Sequence, residues 1–264
     1  MHFTRVALLF LLALILSTSL AAQQSSSAST QGLLLLQRSS VALNGAISVN
    51  DVTLTGTARR IAGSNDETGA AVLKASTSGA SRMDLTLPSG QGSEVRNISV
   101  NPPAGAWSGQ DGKSHAIAYH NLVAEPIWFS PTAAIVPVLS GSNYVVTYVG
   151  HETKNFVAVE HVTIHQQLPG ATADTSSFQG LTQFDLYLDS TSLLPLAMDF
   201  NIHPDGNAAR NIPVEILYSG YQVVSGAQVP FHVQRYLNGS LFLDLQVSTA
   251  SLNSGLSAST FVIQ

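Results

Sequence analysis

The dipeptide Asn238-Gly239 constrains this chain more than any other feature. Both central residues of a two-residue type I′ turn need positive φ, which Asn tolerates and Gly adopts at little cost, so strands are predicted on either side, over 229–237 and 240–247. So short a loop also sets the register. Leu237 is expected opposite Ser240, Tyr236 opposite Leu241, Arg235 opposite Phe242 and Val233 opposite Asp244. One face then carries Tyr236, Leu241, Leu243, Leu245 and Val247, interrupted by Gln234 and His232. The other carries Phe231, Val233, Leu237 and Phe242, with Arg235 and Asp244 as diagonal neighbours able to pair. Neither face is wholly polar. The expectation is a curved sheet with apolar material against both sides: sheet or solvent outside, helices or a ligand inside.

The rest of the chain agrees with a β-rich reading. A turn at Ser225-Gly226-Ala227-Gln228 precedes the hairpin, and alternating runs occur at 52–61, 71–75, 82–88, 94–100, 144–149, 155–164, 183–189 and 196–202. Short strands broken by Gly, Ser and Pro clusters predict an antiparallel meander closing toward a barrel. A helix is predicted over 32–43, stopped by Asn44-Gly45, with Leu34 and Val41 on its apolar side. Between His120 and Ser140, Pro126, Pro131 and Pro137 rule out one long helix and leave two short ones, starting near Asn121 and at Ser130-Pro131. This segment holds Ile127, Trp128, Phe129, Ile135 and Val138, more apolar residues than a surface loop needs. It is either a lid over the open side of the sheet or a core plug between strands. Residues 166–182 read as a mobile loop.

The first residues look like a targeting signal. His2 and Arg5 precede an apolar run over 6–16, and Ser19-Leu20-Ala21 offers the small residues of a cleavage site. The domain reading is a signal peptide at 1–21, a polar disordered linker at 22–31 and one domain at 32–264. The run is shorter than the roughly 20 residues of a membrane span, although an uncleaved anchor is the alternative. The chain has no cysteine, so an N-terminal lipid-bearing Cys, disulfides and thiolate metal sites are all excluded. Eleven Lys and Arg face sixteen Asp and Glu, a net charge of −5, which argues against nucleic acid. Only 10% of residues are charged and the mean hydropathy is +0.21, values that fit a large buried or ligand-covered apolar surface.

Chemical motifs are approached and missed. His151-Glu152 begins like a zinc-protease helix, but the second ligand position is Asn155. Gly112-Lys113-Ser114 ends like a phosphate loop whose upstream glycine position is Trp107. His161 and His165 share a strand face about 13 Å apart, too far for one metal. His115 and His120 flank Tyr119 and read as solvated or hydrogen-bonded imidazoles. Asp185, Asp189 and Asp199 are close in sequence, and Asp189 fits a turn acceptor for Ser190 and Thr191. No Gly-x-Ser-x-Gly elbow is present, though a triad needs no sequence proximity, so a secreted hydrolase remains an alternative. No metal, cofactor or catalytic residue is assigned. Trp107 and Trp128 are read as core or as contacts for lipid or sugar.

The order of signals, one helix, a meander, short helices and a final run, comes with short motifs: Leu188-Asp189, Leu194-Pro195-Leu196, Gly220-Tyr221 through Val229-Pro230, and Leu252-Asn253 before Phe261. This resembles the outer-membrane lipoprotein-sorting, LolA-like family, most clearly over 184–263. The resemblance implies an α+β fold, mainly antiparallel β, as an unclosed barrel with an N-terminal helix and short covering helices. It also implies a periplasmic, cofactor-free carrier whose cavity receives acyl chains. The cavity arginine of such carriers is placed on none of Arg59, Arg60 and Arg82, and the 166–182 loop has no counterpart. The combined expectation is an exported, monomeric, non-enzymatic protein, periplasmic or secreted, that binds an acyl chain, lipoprotein or other hydrophobic ligand, with an envelope protein as a further partner. Trp107, Tyr119, Ile127, Trp128, Phe129, Ile135 and Val138 are the ligand or lid candidates. The rival readings are a non-transporting structural or sensing module of the same fold, and the hydrolase.

Overall fold

The computed structural model describes residues 27–109, 111–168, 170 and 175–263; the expected leader and residues 22–26 of the expected linker lie outside them. Thirteen antiparallel strands form one curved, unclosed sheet: β1 (Asp51–Ala62), β2 (Asn65–Ser76), β3 (Ala80–Leu87), β4 (Gly90–Asn97), β5 (Ala104–Ser108), β6 (Ser114–Ala116), β7 (Tyr144–Lys154), β8 (Val157–Gln166), β9 (Phe184–Asp189), β10 (Pro195–Ile202), β11 (Ile212–Val224), β12 (Ala227–Leu237) and β13 (Ser240–Leu252). The spatial order is β6 through β1, then β13 back to β7, so two meanders meet at the β1–β13 pair. Consecutive strands β6 and β7 therefore stand at opposite edges. The chain must cross the concave face to join them, and α2 (Tyr119–Ala124) and α3 (Pro131–Ser140) are that crossing. Strands β5 and β6 were not anticipated from the sequence; they are short, Gly105 falls inside β5, and Pro102-Pro103, Gly109 and Gly112 crowd their ends.

Helix α1 (27–44) packs on the same face. Its buried stripe is Gly32, Leu35, Leu36, Ser39 and Leu43, the i, i+3, i+4, i+7 pattern of one helical face. Leu34 and Val41, expected on that face, are 54% and 66% exposed: a run of four leucines gives the period but not its phase. Gly32 lets the helix touch β7 closely, since a Cβ there would sit 2.7 Å from the Tyr148 backbone nitrogen. The helix already includes 27–31, which corrects the reading of that part of the linker as disordered: helix propensity is helped here by docking on β7.

Helix α3 starts as its sequence dictates. The Ser130 hydroxyl accepts from the Ala133 amide, and Pro131 occupies the first turn, where its missing N–H costs nothing. Ile135 and Val138 face inward and join Leu36, Leu43, Trp128, Phe129, Val162, Ile164, Leu186, Met198, Ile216 and Leu245 in one apolar core. The 166–182 stretch is not wholly loop, since Ser176–Thr182 forms α4 and the Thr182 hydroxyl accepts from the Gln166 amide.

The β12–β13 hairpin forms with Asn238 and Gly239 at φ of 48° and 75°. Leu237 faces Ser240 and Tyr236 faces Leu241, as expected, but a bulge then shifts the pairing: Arg235 faces Leu243, Gln234 faces Asp244 and Val233 faces Leu245. One extra residue in β13 swaps faces beyond it. Leu243 and Leu245 join Arg235 and Val233 on the concave side, and Asp244 moves to the convex side with Gln234 and His232. The expected Arg235–Asp244 pair is therefore absent.

Candidate functional site

The concave face is filled over most of its area and hollow at one end. The hollow lies where the β3–β4 turn, the β12–β13 turn and the β10–β11 loop gather, and it has a volume of about 630 Å³, within the ~300–1,000 Å³ of small-molecule sites. Met83, Leu85 and Leu87 of β3, Leu237 of β12, and Phe242 and Leu243 of β13 give it an apolar wall. The bulge is what brings the adjacent residues Phe242 and Leu243 onto the same cavity. Trp128 adds apolar surface from the cover, Ile117 from just before it and Ile202 from the end of β10, and Trp107 stands at the β5 border.

The cover is α2 and the residues after it. Gly105 on β5 lets it come close, since a Cβ there would meet Leu122 Cδ2 at clashing distance. What fastens this cover is polar. Glu125, 2% exposed in its side chain, takes Arg235 Nη1 at 2.7 Å on one oxygen and Arg96 Nη2 at 2.8 Å on the other. Arg96 also donates to the Asn121 carbonyl at 2.8 Å and pairs with Glu94 at 2.7 Å. Burial works against the charge on Glu125, but Arg235 and Arg96 outweigh it and hold the carboxyl below its ordinary range. Arg235 further lies over the Trp128 ring, 5.1 Å from its centroid.

A second set of ties joins α2 to the β10–β11 loop. Asn121, buried, donates to the His203 carbonyl at 2.7 Å and accepts from the His203 amide at 2.9 Å. His120 Nε2 donates to the Pro204 carbonyl at 3.2 Å. His203 donates from Nδ1 to the Arg210 carbonyl at 3.2 Å, and its Nε2 is buried with no partner. Burial lowers its pKa, with His120 pushing the same way and the Arg210 carbonyl opposing. The buried Tyr218 hydroxyl then ties the end of the cover down through the Trp128 carbonyl at 2.6 Å.

The seven residues singled out from the sequence separate into three groups. Trp107 and Trp128 line the cavity. Phe129, Ile135 and Val138 are in the filled core with Ile127 packed against it, so α3 is the plug of the two alternatives, and these four do not line the hollow. Their apolarity reported burial without reporting against what. Tyr119 is 58% exposed at the start of α2 and outside the cavity lining. Of the three candidate cavity arginines, Arg60 lines the hollow, whereas Arg59 and Arg82 are held by Asp66 and Asp84. Sequence reasoning missed Arg96, Asn121, Glu125 and His203; the contacts by which they fasten the cover span 25 to 110 residues, and no local pattern marks them.

The convex face carries two histidine groups. His161 Nε2 meets Asp185 at 2.9 Å, and Glu152 lies 2.8 Å from Nδ1 but off the hydrogen-bonding direction. The ring stacks on Tyr187. His232 sits between Ser219 at 3.1 Å and Asp244 at 2.9 Å. This is a Ser–His–Asp chain on open sheet surface, outside the cavity, with Asp244 also taken by Gln234 and Gln246. Among the described residues, no group of three His, Cys, Asp or Glu is placed to hold a metal.

The short motifs that carry the resemblance have structural duties. Asp189 Oδ1 accepts from the Thr191 and Ser192 amides, Tyr221 donates to the Pro195 carbonyl, and Asn253 bridges the Asn50 amide and the Ser48 carbonyl. Phe261 closes a small cluster with Ala80 and Val95.

No protein-family model matches the chain, and no curated protein sequence does. Solved structures do. A domain assigned as an outer membrane lipoprotein-sorting protein from Vibrio parahaemolyticus superposes with a TM-score of 0.56 at 13% identity, covering 88% of this chain and 97% of that one. A LolA superfamily protein from Nitrosomonas europaea gives 0.54 at 10% identity over 88% and 97%. A DUF1329 family protein from Desulfovibrio piger gives 0.56 at 10% identity over 89% and 97%. The fold is thus the LolA-like one, an open antiparallel sheet with helices on its concave side.

Proposed function

We propose that this protein is an exported, monomeric carrier that binds a hydrophobic ligand, an acyl chain or the lipid of a lipoprotein, in the hollow between its sheet and α2. The observation that carries the reading is the cavity of about 630 Å³ with an apolar wall of Met83, Leu85, Leu87, Phe242 and Leu243. A sheet with enough apolar side chains to fill itself elsewhere leaves this end open. Binding would work by desolvation, at about 0.8 kcal/mol for each CH₂ buried.

The cover suits such a role because polar contacts hold it. An ion pair and hydrogen bonds to a loop give way to competing partners or to water, and they do not require an apolar core to be opened. Release follows when α2 parts from Arg96 and Arg235 or when an envelope partner competes. The LolA-like fold supports this reading, and the signal-like amino-terminal sequence fits work in the periplasm or outside the cell. No helix of the described residues is long and apolar enough to cross a membrane.

Native mass spectrometry of the protein purified without detergent, joined to uptake of a fluorescent fatty acid, tests the proposal. Co-purifying lipid and saturable uptake are expected. Their joint absence would leave the same fold serving as a structural or sensing module. An esterase substrate screen of the wild type and Ser219→Ala addresses the Ser219–His232–Asp244 chain, with no activity above background expected from either.

A further inference from the structure

Arg60 breaks a local rule that its neighbours keep. It faces Glu67 directly across the β1–β2 pair, where opposite charges ordinarily pair. Yet Glu67 turns to the β3–β4 turn and accepts from the Ser89 amide at 2.8 Å and the Ser89 hydroxyl at 2.7 Å. Arg59, one residue earlier, is bound at 2.7 Å by Asp66, Arg82 by Asp84, Arg96 by Glu94 and Glu125, and Arg235 by Glu125. Among the described residues, Arg60 is the one sheet arginine with no carboxylate partner. Its guanidinium lies instead over the Phe242 ring, 5.6 Å from the centroid, and it lines the cavity.

The register shows where this charge stands. Arg60 faces Leu243, and Leu243 faces Arg235, so the three share one row across β1, β13 and β12. Arg60 and Arg235 are then about 10 Å apart along the row, with the apolar wall beside them. Of the other charges on the cavity, Glu94 and Glu125 are answered by arginines, while Asp111 and Asp205 are exposed and bonded to His115 at 2.9 Å and to the Asn121 amide at 3.3 Å. Among the arginines on the hollow, Arg60 alone has no carboxylate, and an acidic group beside the apolar wall is the partner it lacks.

We propose that the ligand is an anionic amphiphile whose acidic head is held by Arg60 and whose chain lies on Met83, Leu85, Leu87, Phe242 and Leu243. This rests on the carrier reading above and narrows it to a class of ligand. Carboxylate and phosphate heads share the chemistry that a guanidinium recognises.

The test is displacement of a neutral fluorescent probe, N-phenyl-1-naphthylamine, from the full protein by single-chain amphiphiles of equal length bearing carboxylate, phosphate monoester, hydroxyl or trimethylammonium heads, with inorganic phosphate as a fifth arm. The carboxylate and the phosphate monoester are expected to displace the probe at concentrations at least about tenfold below the alcohol, the gain expected of one charge-assisted hydrogen bond. The ammonium head is expected to trail the alcohol. Arg60→Gln brings the acid-to-alcohol ratio to about one, while Arg60→Lys keeps most of it. Equal displacement by acid and alcohol in the wild type overturns this inference and leaves the carrier reading standing, as does a preference that survives Arg60→Gln. Displacement by inorganic phosphate alone at matching concentration overturns it in favour of a free-anion site. Failure of every amphiphile overturns the carrier reading and this inference together.

Discussion

One sheet covers two regions of the concave face, and they are closed by different means. Under α1 and α3, residues Val162, Ile164, Leu186, Leu188, Met198 and Ile216 are wholly shielded, and they meet Leu36, Leu43 and Ile135. Under α2 the wall of Met83, Leu87 and Phe242 is only partly shielded, and the contacts that close it are Arg96, Asn121, Glu125, His203 and Arg235. The strands of the two regions alternate alike. What differs is the cover: the apolar turns of α3 fill the space beneath them, while the six residues of α2, with Asn121, His120 and the following Glu125, roof a space they do not enter. Apolar filling provides stability, and a polar fastening over a hollow provides a site.

The sharpest way to break this comparison is to remove the fastening. Glu125→Ala leaves Arg235 without a carboxylate and Arg96 with Glu94 alone, and uncompensated buried charge costs about 3–5 kcal/mol. Denaturant unfolding should show that loss, together with faster exchange of the α2 amides. A loss below about 1 kcal/mol would mean that the cover is held by its apolar contacts after all.

Leu186→Ala in the filled region should cost about 2–5 kcal/mol, the range for a leucine removed from a core that cannot fully collapse. Unlike Glu125→Ala, it should leave probe displacement unchanged, because Leu186 is remote from the hollow. A change in ligand affinity on Leu186→Ala would merge the two regions into one.

Leu87→Trp adds bulk where there is room. Stability should change by less than about 1 kcal/mol, since overpacking is penalised in a filled core and the hollow is not one. Ligand affinity should fall several-fold, measured by the same displacement. A melting transition lowered as much as by Leu186→Ala would show that the wall relaxes onto the space.

How far the sequence led to these regions depends on the range of the interactions. The β12–β13 turn, the Ser130-Pro131 start of α3 and the turn duty of Asp189 were legible because each is decided within a few residues. The bulge before Tyr236 was not, since the extra residue in β13 is settled by how Leu243 and Leu245 pack against other strands. That single shift turned Asp244 to the convex face, and Arg235 pairs instead with Glu125, 110 residues earlier. The apolar segment over 127–139 was recognised as covering the sheet, but its apolarity could not tell the plug from the lid. The part that covers the hollow is the less apolar half, beginning at Tyr119. Trp107 and Trp128 were found by size alone, whereas Arg60 became meaningful only once its cross-strand partner Glu67 was seen to turn elsewhere.

The smallest expected effect is one of pH, and it separates the regions without a large loss of stability. His203 is buried and its Nε2 has no partner, so burial keeps it neutral and its pKa lies below 6.5 in the folded chain. The unfolded chain binds the proton first; stability is therefore full above about 6.5 and declines as the pH falls from there through the folded value. The groups around it reinforce the sign: His120 lies 6.0 Å away ring to ring, and Arg235 lines the same cavity, while Asp205, two residues on in the same loop, is engaged by Asn121 and Glu125 by Arg96 and Arg235. Glu125 responds to acid with the same sign but at lower pH. Its pKa is held below 4.5, so its contribution persists above that value and is lost only as the pH drops through the lower folded one. Acid should therefore loosen the His203 ties of α2 first and the Glu125 fastening later, and reach α3 last, whose cover has no such group. Hydrogen exchange followed from pH 7 downward should show α2 amides losing protection before those of α3, with His203→Asn removing the first step and sparing the second. Simultaneous loss in α2 and α3, or a first step unaltered by His203→Asn, would place the acid-sensitive contact elsewhere and return the two regions to a single cooperative unit.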